Sequence, residues 1–357
     1  MQIDNAFYFK SINSIGGVES FLFYLSRLFK NMVVYYKEGD PKQVERIARN
    51  VEIHKWYGET IKCKHFFGNY GLDDILPYLQ AEHKHFVIHC DYKKNKLCKP
   101  IVYPGFDYIA VSKLAGESFK EMTGIDYELI YNPVVIDKQQ VQKSKKLCLI
   151  SATRLSGEKG GWRIDKLAEM LDKANIDYDW DIYSNKSKKI KIQSEHVHLK
   201  QPKLDLSKEM TEATYLVQLS DHEAFGLSVA EALTVGTPVI VTDIPAFHEI
   251  GCNESNSIML DLNMSNVNIE KIVNSKFDFT YTPPKSNWNK YLDNNRHYDP
   301  DELINVEVLK RRYYDKELGR WLESGNIVQM PRVRASYLEA LQISTINNKG
   351  YVKCCLQ

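Results

Sequence analysis

The sequence lacks any long apolar run. None of its hydrophobic stretches approaches the roughly 18 to 20 residues that a helix needs to cross a bilayer. The chain also does not open with a basic segment followed by an apolar one, as a secretory signal would. We therefore expect a cytoplasmic location, and peripheral contact with the inner face of a membrane stays open.

Zinc-type cysteine pairs are absent as well, and the net charge is close to zero. The seven cysteines include no C-x-x-C pair, and they favour a reducing compartment. Lys and Arg number 47 against 46 Asp and Glu, so bulk charge does not support nucleic acid as a partner. Lysine-rich runs at 93–99, 143–146 and 186–191 are either solvated loops or surfaces attracted to an anionic membrane or a phosphorylated acceptor.

Two common phosphate-binding patterns are missing. Neither G-x-x-x-x-G-K-[ST] nor G-x-G-x-x-G occurs in the chain. These absences exclude a Walker-type loop and a simple dinucleotide fingerprint. Any nucleotide would have to be bound in another way.

The chain does contain strand-like runs that alternate with helical patterns. Apolar runs at 6–12 and 85–90 are typical of strands, and apolar residues recur at helical spacing over 16–29 and 113–124. Strands that alternate with helices predict βαβ units and a parallel sheet covered on both faces.

The alternation restarts after a lysine- and glutamine-rich segment at 136–146, which is typical of a linker. Strand-like runs follow at 147–153 and 237–243, among others, with a helix over 162–174 between them. The predicted fold class is therefore α/β, with two facing Rossmann-like doubly wound domains. Such domains leave an interdomain cleft at the carboxyl ends of their strands.

Three regions follow from this organisation. We predict one Rossmann-like domain over 1–140 and a second over 141–290. Residues 291–357 are turn-rich at first and then charged and aromatic, and we expect them to form a helical appendix. The pattern does not assign a role to that appendix.

The stretch SDHEAFGLSVAEALTVGTPVIVTD, residues 220–243, carries a first set of candidate residues. Glu223 precedes a helix that should begin near Gly226, and Glu231 lies a little over one turn into it. A carboxylate that accepts from two vicinal hydroxyls can hold a sugar or ribose ring, at about 1.5–3 kcal/mol for each charged hydrogen bond. The alternative is an exposed helical glutamate and a helix-capping acid.

A second set lies in ATRLSGEKGG, residues 152–161, directly after a predicted strand. Arg154 and Lys159 occupy a glycine-containing turn that leads into a helix. A guanidinium, an ammonium and free helix N–H groups can together hold a diphosphate. The alternative is a surface turn with two solvated cations.

Two weaker candidates lie in the first half of the chain. Gly16 and Gly17 open the first helix, where backbone N–H groups can approach an anion, although an ordinary tight turn explains them equally well. His89 ends a strand-like run and is either a polar contact to a sugar or acceptor or a structural residue.

Taken together, these segments resemble the retaining glycosyltransferases of family four, over about residues 6–265 and in the same order. Arg154, Glu158, Lys159 and Gly160 match R-x-x-x-E-K-G. The second motif, E-x-F-G-x4-E, is matched by Glu223, Phe225, Gly226 and Glu231. The resemblance is strong in the second half of the chain and thin in the first.

The resemblance implies a GT-B fold, with the acceptor bound by the first domain and the nucleotide-sugar by the second. Arg154 and Lys159 would bind the diphosphate of the donor, Glu231 the ribose and Glu223 the transferred sugar. The remaining implied contacts to the donor come from Gly16, Gly17, His89, Ala224, Phe225, Gly226 and Leu227. We expect no metal and no cofactor, because cations stabilise the leaving diphosphate and no D-x-D pair lies in a supporting context.

The activity implied is transfer of a sugar from a UDP- or GDP-sugar to a hydroxyl, with retention at the anomeric carbon, in polysaccharide biosynthesis. The acceptor would be a glycan or a lipid-linked saccharide. Three alternatives stay open: a protein or nucleic-acid acceptor, an inactive regulator that binds sugar nucleotides, and an epimerase of similar fold. The sequence does not identify the donor sugar or the linkage.

Overall fold

The computed structural model of the chain describes residues 3–95, 98–137, 146–184, 192–309, 312–317, 319–341 and 352–354. The helices are α1 Gly17–Leu28, α2 Pro41–Ala48, α3 Lys113–Thr123, α4 Gly161–Lys173, α5 Ser207–Glu212, α6 Leu227–Thr234, α7 Pro245–Glu249, α8 Ile269–Asn274 and α9 Arg332–Ala340. The strands are β1 Ile3–Ile12, β2 Met32–Gly39, β3 Glu52–Lys55, β4 Ile61–Gly68, β5 Leu79–Ile88, β6 Asp107–Ala110, β7 Glu128–Leu129, β8 Leu147–Ala152, β9 Tyr178–Tyr183, β10 Val197–Lys200, β11 Tyr215–Gln218, β12 Val239–Thr242, β13 Ser257–Leu260, β14 Leu303–Val308, β15 Arg312–Asp315, β16 Arg320–Glu323, β17 Ile327–Pro331 and β18 Val352–Cys354.

The first sheet has seven strands in the order β3-β2-β1-β4-β5-β6-β7. Strand β1 pairs in parallel with both β2 and β4, and further parallel pairs join β2 to β3 and β4 to β5. The middle of β1 is fully buried over residues 5–9, as expected for a central strand covered on both faces. The chain order reverses between β1 and β4, which makes this pair a topological switch point.

The second sheet repeats the same winding, with its six strands in the order β10-β9-β8-β11-β12-β13. All of its pairings are parallel. Strands β11 and β12 are buried at every residue, and their core includes Trp180, Leu167 and Ile240. The switch point here lies between β8 and β11. Two Rossmann-like parallel sheets confirm the predicted α/β fold class.

The described chain divides into two compact units. The first unit comprises 1–88, 101–109 and 287–357, and the second comprises 89–100 and 110–286. In the first unit, the fully buried Trp288 returns to the first sheet, with its ring 5.4 Å from that of Phe21 and 5.9 Å from that of Phe67. The predicted domain boundaries at 140 and 290 stay predictions, and most of the expected linker lies outside the described residues.

The expectation of a helical appendix is wrong for the described part of residues 291–357. Strand β14 pairs antiparallel with β17 and β18, a two-stranded ribbon joins β15 to β16, and α9 is the one helix described there. Alternating burial along β14 places Val306 and Val308 in a small core with Met330 and Leu338, so the pattern has the period of a strand. Gly325, at φ +87°, makes the turn between strands.

Candidate functional site

The two sequence motifs meet at the switch point of the second sheet. Strand β8 ends at Ala152 and is followed by the loop 153–160, while β11 ends at Gln218 and is followed by the loop 219–226. Strands β8 and β11 are neighbours in this sheet, so both loops leave the same edge side by side. Ligands of open α/β sheets bind outside the carboxyl ends of strands at this position.

Main-chain contacts join the two loops directly. The N–H of Asp221 donates to the carbonyl oxygen of Glu158 at 2.8 Å. Gly160 precedes α4 in a left-handed conformation with φ +72°, and a Cβ atom there would lie 1.7 Å from the carbonyl oxygen of Leu219. Only glycine fits this contact, because the neighbouring atom belongs to the main chain. The glycine of R-x-x-x-E-K-G is therefore needed for the close approach of the loops.

Arg163, in the first turn of α4, strengthens the same junction. Its side chain is buried, Nη1 donates to the carbonyl of Leu219 at 3.1 Å, and it lies 2.6 Å from Oδ1 of Asp221. Its Nε donates to the carbonyl of Leu262 at 2.6 Å. The sequence interpretation missed this residue. A charged residue two positions after a glycine pair was the available signal, and it was indistinguishable from a solvated helical cation.

Lys159 and Glu223 form an ion pair across the two loops. Nζ of Lys159 lies 2.7 Å from Oε1 of Glu223, and their side chains are 17% and 15% exposed. Ser220 Oγ donates to the same carboxylate oxygen at 2.8 Å, and Gln218 Nε2 does so at 3.3 Å. Three donors thus converge on Oε1. The structure brings together two predicted site residues that are 64 positions apart in sequence.

Gln218 organises the polar groups beneath this ion pair. It is buried at the end of β11, and its Nε2 also donates to Ser220 Oγ at 2.7 Å and to Thr153 Oγ1 at 3.1 Å. The hydroxyl of Thr242, on β12, donates to the carbonyl of Ser220 at 2.6 Å. Two of the groups that hold Glu223, Gln218 and Ser220, are therefore themselves bonded to residues at the ends of β8 and β12. A glutamine that ends an apolar strand was a signal for this network that the sequence interpretation did not use.

Arg154 has a different environment from Lys159. Its side chain is 75% exposed, and Nη2 lies 3.6 Å from Oε1 of Glu158. Burial raises the pKa of Glu158, but hydrogen bonds from its own backbone and Ser156, together with Arg154 and Lys159, outweigh burial and lower that pKa. The structure thus places Arg154 on the loop of Lys159, with its guanidinium largely in solvent.

The segment before α6 is held rigidly from both sides. Gly226 adopts φ +91°, and a Cβ atom there would lie 2.9 Å from the ring of Phe247. The carbonyl of Ala224 accepts a hydrogen bond from Ser112 Oγ, and Phe225 is buried. Helix α6 then begins at Leu227 with no side-chain cap, and the N–H groups of Val229 and Ala230 donate to the carbonyl of Gly226. The N–H groups of Leu227 and Ser228 therefore have no intrahelical partner.

Glu231 lies at the fifth position of α6, just over one turn from the start of the helix, and it is half-buried. This confirms the predicted placement of one carboxylate before the helix and one inside it. Whether the two carboxylates hold the two rings of one ligand stays a prediction.

His89 directly follows β5 and belongs to the second unit. Burial lowers the pKa of His89 to about 3. The imidazole is therefore neutral near pH 7 and can donate one hydrogen bond and accept another. Its predicted contact with a donor sugar stays a prediction.

Gly16 and Gly17 lie at the start of α1 in the first unit. Gly16 is extended, and the Glu19 carboxylate accepts from the N–H of Ser14 at 3.3 Å and from its hydroxyl at 2.7 Å. The start of this helix therefore already has a carboxylate of its own chain close by. The predicted contact with a diphosphate stays a prediction.

The described residues contain neither a metal-binding cluster nor a membrane-spanning helix. Within these ranges, no group of three or more His, Cys, Asp or Glu side chains is arranged to ligate a metal ion. No helix in the described part of the chain is both long enough and apolar enough to traverse a bilayer.

Comparison with known families adds a match in the second half of the chain. Residues 135–275 match the family model "Glycosyl transferases group 1", and this range holds both loops of the switch point. A search of curated protein sequences gives no match.

Several solved structures are similar to this chain. The Anabaena protein Alr3699/HepE, solved with UDP and glucose, is 15% identical with a TM-score of 0.59, over 73% of this chain and 86% of that one. WaaG, a glycosyltransferase involved in lipopolysaccharide biosynthesis, is 14% identical with a TM-score of 0.53, over 75% and 88% of the two chains. TarM is 18% identical with a TM-score of 0.48, and the match covers 58% of this chain and 47% of the TarM chain. The first two likenesses establish the fold, which is the predicted GT-B class.

Proposed function

We propose that this protein is a retaining glycosyltransferase of family four. It transfers a sugar from a UDP- or GDP-sugar to a hydroxyl of a glycan or lipid-linked saccharide, without a metal ion. The observation that carries the proposal is the Lys159–Glu223 ion pair at the switch point of the second sheet. The match of residues 135–275 to the glycosyltransferase family model supports the same proposal.

The geometry of the ion pair suits a nucleotide-sugar. Lys159 carries three N–H donors, of which one is directed at Glu223, so further donors are available to a diphosphate. Glu223 is held through Oε1 by Lys159, Ser220 and Gln218, and its other oxygen can accept from sugar hydroxyls. The largely solvated Arg154 supplies a second cation on the same loop. The start of α6 supplies unpaired N–H groups.

Transfer then proceeds by electrostatic stabilisation of the leaving group. The bond between the anomeric carbon and the diphosphate oxygen breaks, while the acceptor oxygen bonds to the same carbon from the same face. The acceptor proton passes to the leaving diphosphate oxygen. Lys159, Arg154 and the α6 N–H groups stabilise the charge that develops on the diphosphate. No side chain of the protein is required as a nucleophile.

The remaining predicted residues have supporting roles in this proposal. Glu231 accepts from the ribose hydroxyls, and the segment Ala224–Leu227 contacts the sugar or phosphates through its backbone. Neutral His89 exchanges hydrogen bonds with a hydroxyl of the transferred sugar, and Gly16 and Gly17 line the diphosphate. We further propose a cytoplasmic enzyme of polysaccharide biosynthesis. Its lysine-rich runs, of which the one at 186–191 lies outside the described residues, would contact an anionic membrane surface.

A donor screen tests the proposal. UDP- and GDP-sugars are screened by thermal shift and by nucleotide release, with wild type, Glu223→Gln and Arg154→Ala, and with the exposed α5 residue Glu212→Gln as a matched control. We expect one donor to raise the melting temperature of wild type and control. Arg154→Ala should lower turnover by about 100-fold, and Glu223→Gln should weaken donor binding by about 10-fold or more.

Each other outcome has a distinct meaning. Binding without turnover, in the presence of candidate acceptors, would favour a regulator, and a changed free sugar without an acceptor would favour an epimerase. If no nucleotide-sugar binds, the proposed role of both glutamates is wrong. Retention is tested by the anomeric configuration of the first product by NMR, and metal independence by turnover in EDTA.

A further inference from the structure

A histidine–aspartate pair lies at the carboxyl end of β12, in the second unit. Asp243 directly follows β12, and His248 lies in the short helix α7. Nε2 of His248 lies 2.6 Å from Oδ1 of Asp243, and both side chains are 54% exposed. Neither residue lies in the R-x-x-x-E-K-G or E-x-F-G-x4-E motif, and the function proposed above gives neither of them a role.

Printed contacts of the neighbouring residues place this pair at the edge of the candidate site. Strands β11 and β12 are parallel neighbours, so the residues that follow them leave the same edge of the second sheet. The residue before each member of the pair contacts the loop 219–226. The hydroxyl of Thr242 donates to the carbonyl of Ser220 at 2.6 Å, and the ring of Phe247 lies 2.9 Å from the position of a Cβ atom added at Gly226.

The backbone that carries the pair is held from two further directions. The N–H of Asp243 donates to the carbonyl of Leu260, at the end of β13, at 2.8 Å. The carboxylate of Glu249, which follows His248, accepts from the N–H of Leu114 at 3.1 Å, in the first turn of α3. The two side chains are therefore exposed to solvent but attached to a fixed backbone.

The aspartate determines which hydrogen bond the imidazole can still make. An ionised carboxylate only accepts hydrogen bonds, so Nε2 of His248 carries the proton that it donates to Asp243. In the neutral imidazole the other nitrogen, Nδ1, then has a lone pair, and it has no partner among the described residues. A lone pair can accept from an O–H group but not from a phosphate oxygen, which is itself an acceptor. The pair is therefore suited to a hydroxyl rather than to a diphosphate.

We propose that His248 is a further binding residue of the candidate site, whose Nδ1 accepts a hydrogen bond from a hydroxyl on a sugar ring of the bound nucleotide-sugar. Asp243 is the positioning residue that orients the imidazole. The ring is the transferred sugar or the ribose, since both present the same hydroxyl chemistry. This inference rests on the proposed function, because it requires a nucleotide-sugar at the switch point of the second sheet.

Isothermal titration calorimetry of the full chain tests the contact. UDP-glucose, UDP-N-acetylglucosamine and GDP-mannose, each with its free UDP or GDP, are titrated into wild type, His248→Phe and His198→Phe. His198 is the matched control, because it pairs with Asp179 at 3.6 Å and is 44% exposed, but lies on the edge strand β10. We expect His248→Phe to weaken binding of the nucleotide-sugar by about 3- to 10-fold, and His198→Phe to bind as wild type does. Exposed ion pairs add little to stability, so both variants should keep the melting temperature of wild type.

The free nucleotides distinguish the two sugar rings. A loss of affinity for the nucleotide-sugar but not for the free nucleotide assigns the contact to the transferred sugar, and equal losses assign it to the ribose. Unchanged affinity of His248→Phe for a donor that wild type binds would overturn this inference and leave the proposed function standing. If wild type binds none of the three donors, the proposed function and this inference both fail.

Three further substitutions test the roles of the two side chains. Asparagine places a polar atom where Nδ1 lies and glutamine places one where Nε2 lies, so His248→Asn should retain more affinity than His248→Gln. Asp243→Asn should weaken binding less than His248→Phe, because the imidazole stays and only its orientation is lost. The opposite order of the asparagine and glutamine variants would contradict a contact at Nδ1, and wild-type affinity in Asp243→Asn would contradict the positioning role.

Discussion

The switch points of the two sheets share a strand order and differ in how their loops are held. In the first unit, the loop after β1 is tied to its own helix through Ser14 and Glu19, and to α2 through Gln43, whose Nε2 donates to the carbonyl of Ser14 at 2.7 Å. In the second unit, the loops after β8 and β11 are bonded to each other by main chain, Arg163 and the Lys159–Glu223 ion pair.

The difference is clearest at two glycines with positive φ. Gly71, in the loop after β4, has φ +62°, and an added Cβ would meet Cδ of Lys10, the mobile part of a long side chain. Gly160 has φ +72°, and its Cβ would meet a backbone carbonyl. The same topology therefore supports an adaptable loop in one unit and a fixed junction in the other. Fold alone does not specify a site, and the loops do.

The largest expected effect comes from Gly160→Ala. The added Cβ collides with the carbonyl of Leu219 and the residue keeps a strained φ, so we expect a loss of about 3–5 kcal/mol in the free energy of unfolding. Gly71→Ala should lose only about 1 kcal/mol, the cost of the left-handed conformation. Gly157→Ala, with open space around its Cβ, is the neutral control. Urea unfolding measures all three, and equal losses at 160 and 71 would remove the distinction between the loops.

A second effect depends on pH and concerns His89. Its folded pKa of about 3 lies below the unfolded value near 6.5, so the unfolded state binds more protons between these values. The contribution of neutral His89 to the free energy of unfolding is fully present above pH 6.5. Between pH 6.5 and 3 it falls by about 1.4 kcal/mol for each pH unit. We expect His89→Gln to flatten the pH dependence between pH 6.5 and 5 in urea unfolding, relative to wild type. Parallel curves for the two proteins would contradict a neutral imidazole with a lowered pKa in the folded state.

A third, smaller effect separates the ion pairs of the two units. A double-mutant cycle with Lys159→Met and Glu223→Gln should give a coupling energy of about 1–3 kcal/mol, because both side chains are mostly shielded from water. The pair Lys37–Asp74 in the first unit is 2.5 Å long but more exposed, and we expect no measurable coupling in the same cycle. Thermal unfolding provides the four stabilities of each cycle. Similar coupling in both would mean that burial does not distinguish them.

The smallest effect concerns the first turn of α1. Glu19→Gln keeps an acceptor for Ser14 and removes a negative charge near the helix start, which should cost about 0.3–1 kcal/mol in the free energy of unfolding. High salt should reduce the difference. A loss above about 2 kcal/mol would indicate that this carboxylate fixes its loop as firmly as Glu223 does in the second unit.

Central elements of the fold were predictable because burial dominates there. The apolar runs of β1, β8 and β12 and the helical spacing of α1 and α4 are strong local signals. Strand β3 and helix α2 were not predicted. Three of the four residues of β3 are polar. Helix α2 spans only two turns, although Asp40 caps it and Pro41 opens it. The C-terminal residues were predicted as helix because their strand-period burial is short and interrupted by charges.

The residues of the candidate site were predictable from the sequence, but the contacts between them were not. Spacing placed Lys159, Glu223 and Glu231 on loops and a helix start, since glycines mark those turns. The contact between Lys159 and Glu223 depends on β8 and β11 becoming neighbours across 64 positions, which a local pattern does not encode. Arg163 and Gln218 were missed for a related reason, because a buried polar side chain is recognised only through its partners.

The backbone hydrogen bond between Asp221 and Glu158 has a consequence for the thermodynamics of binding. A flexible loop that becomes ordered around a ligand loses conformational entropy, and that loss weakens the affinity. Here the two loops are already immobilised against each other by Gly160, Arg163 and this hydrogen bond. A ligand that binds between them would encounter a preorganised surface, and the entropic cost of ordering would fall mainly on solvated side chains such as Arg154.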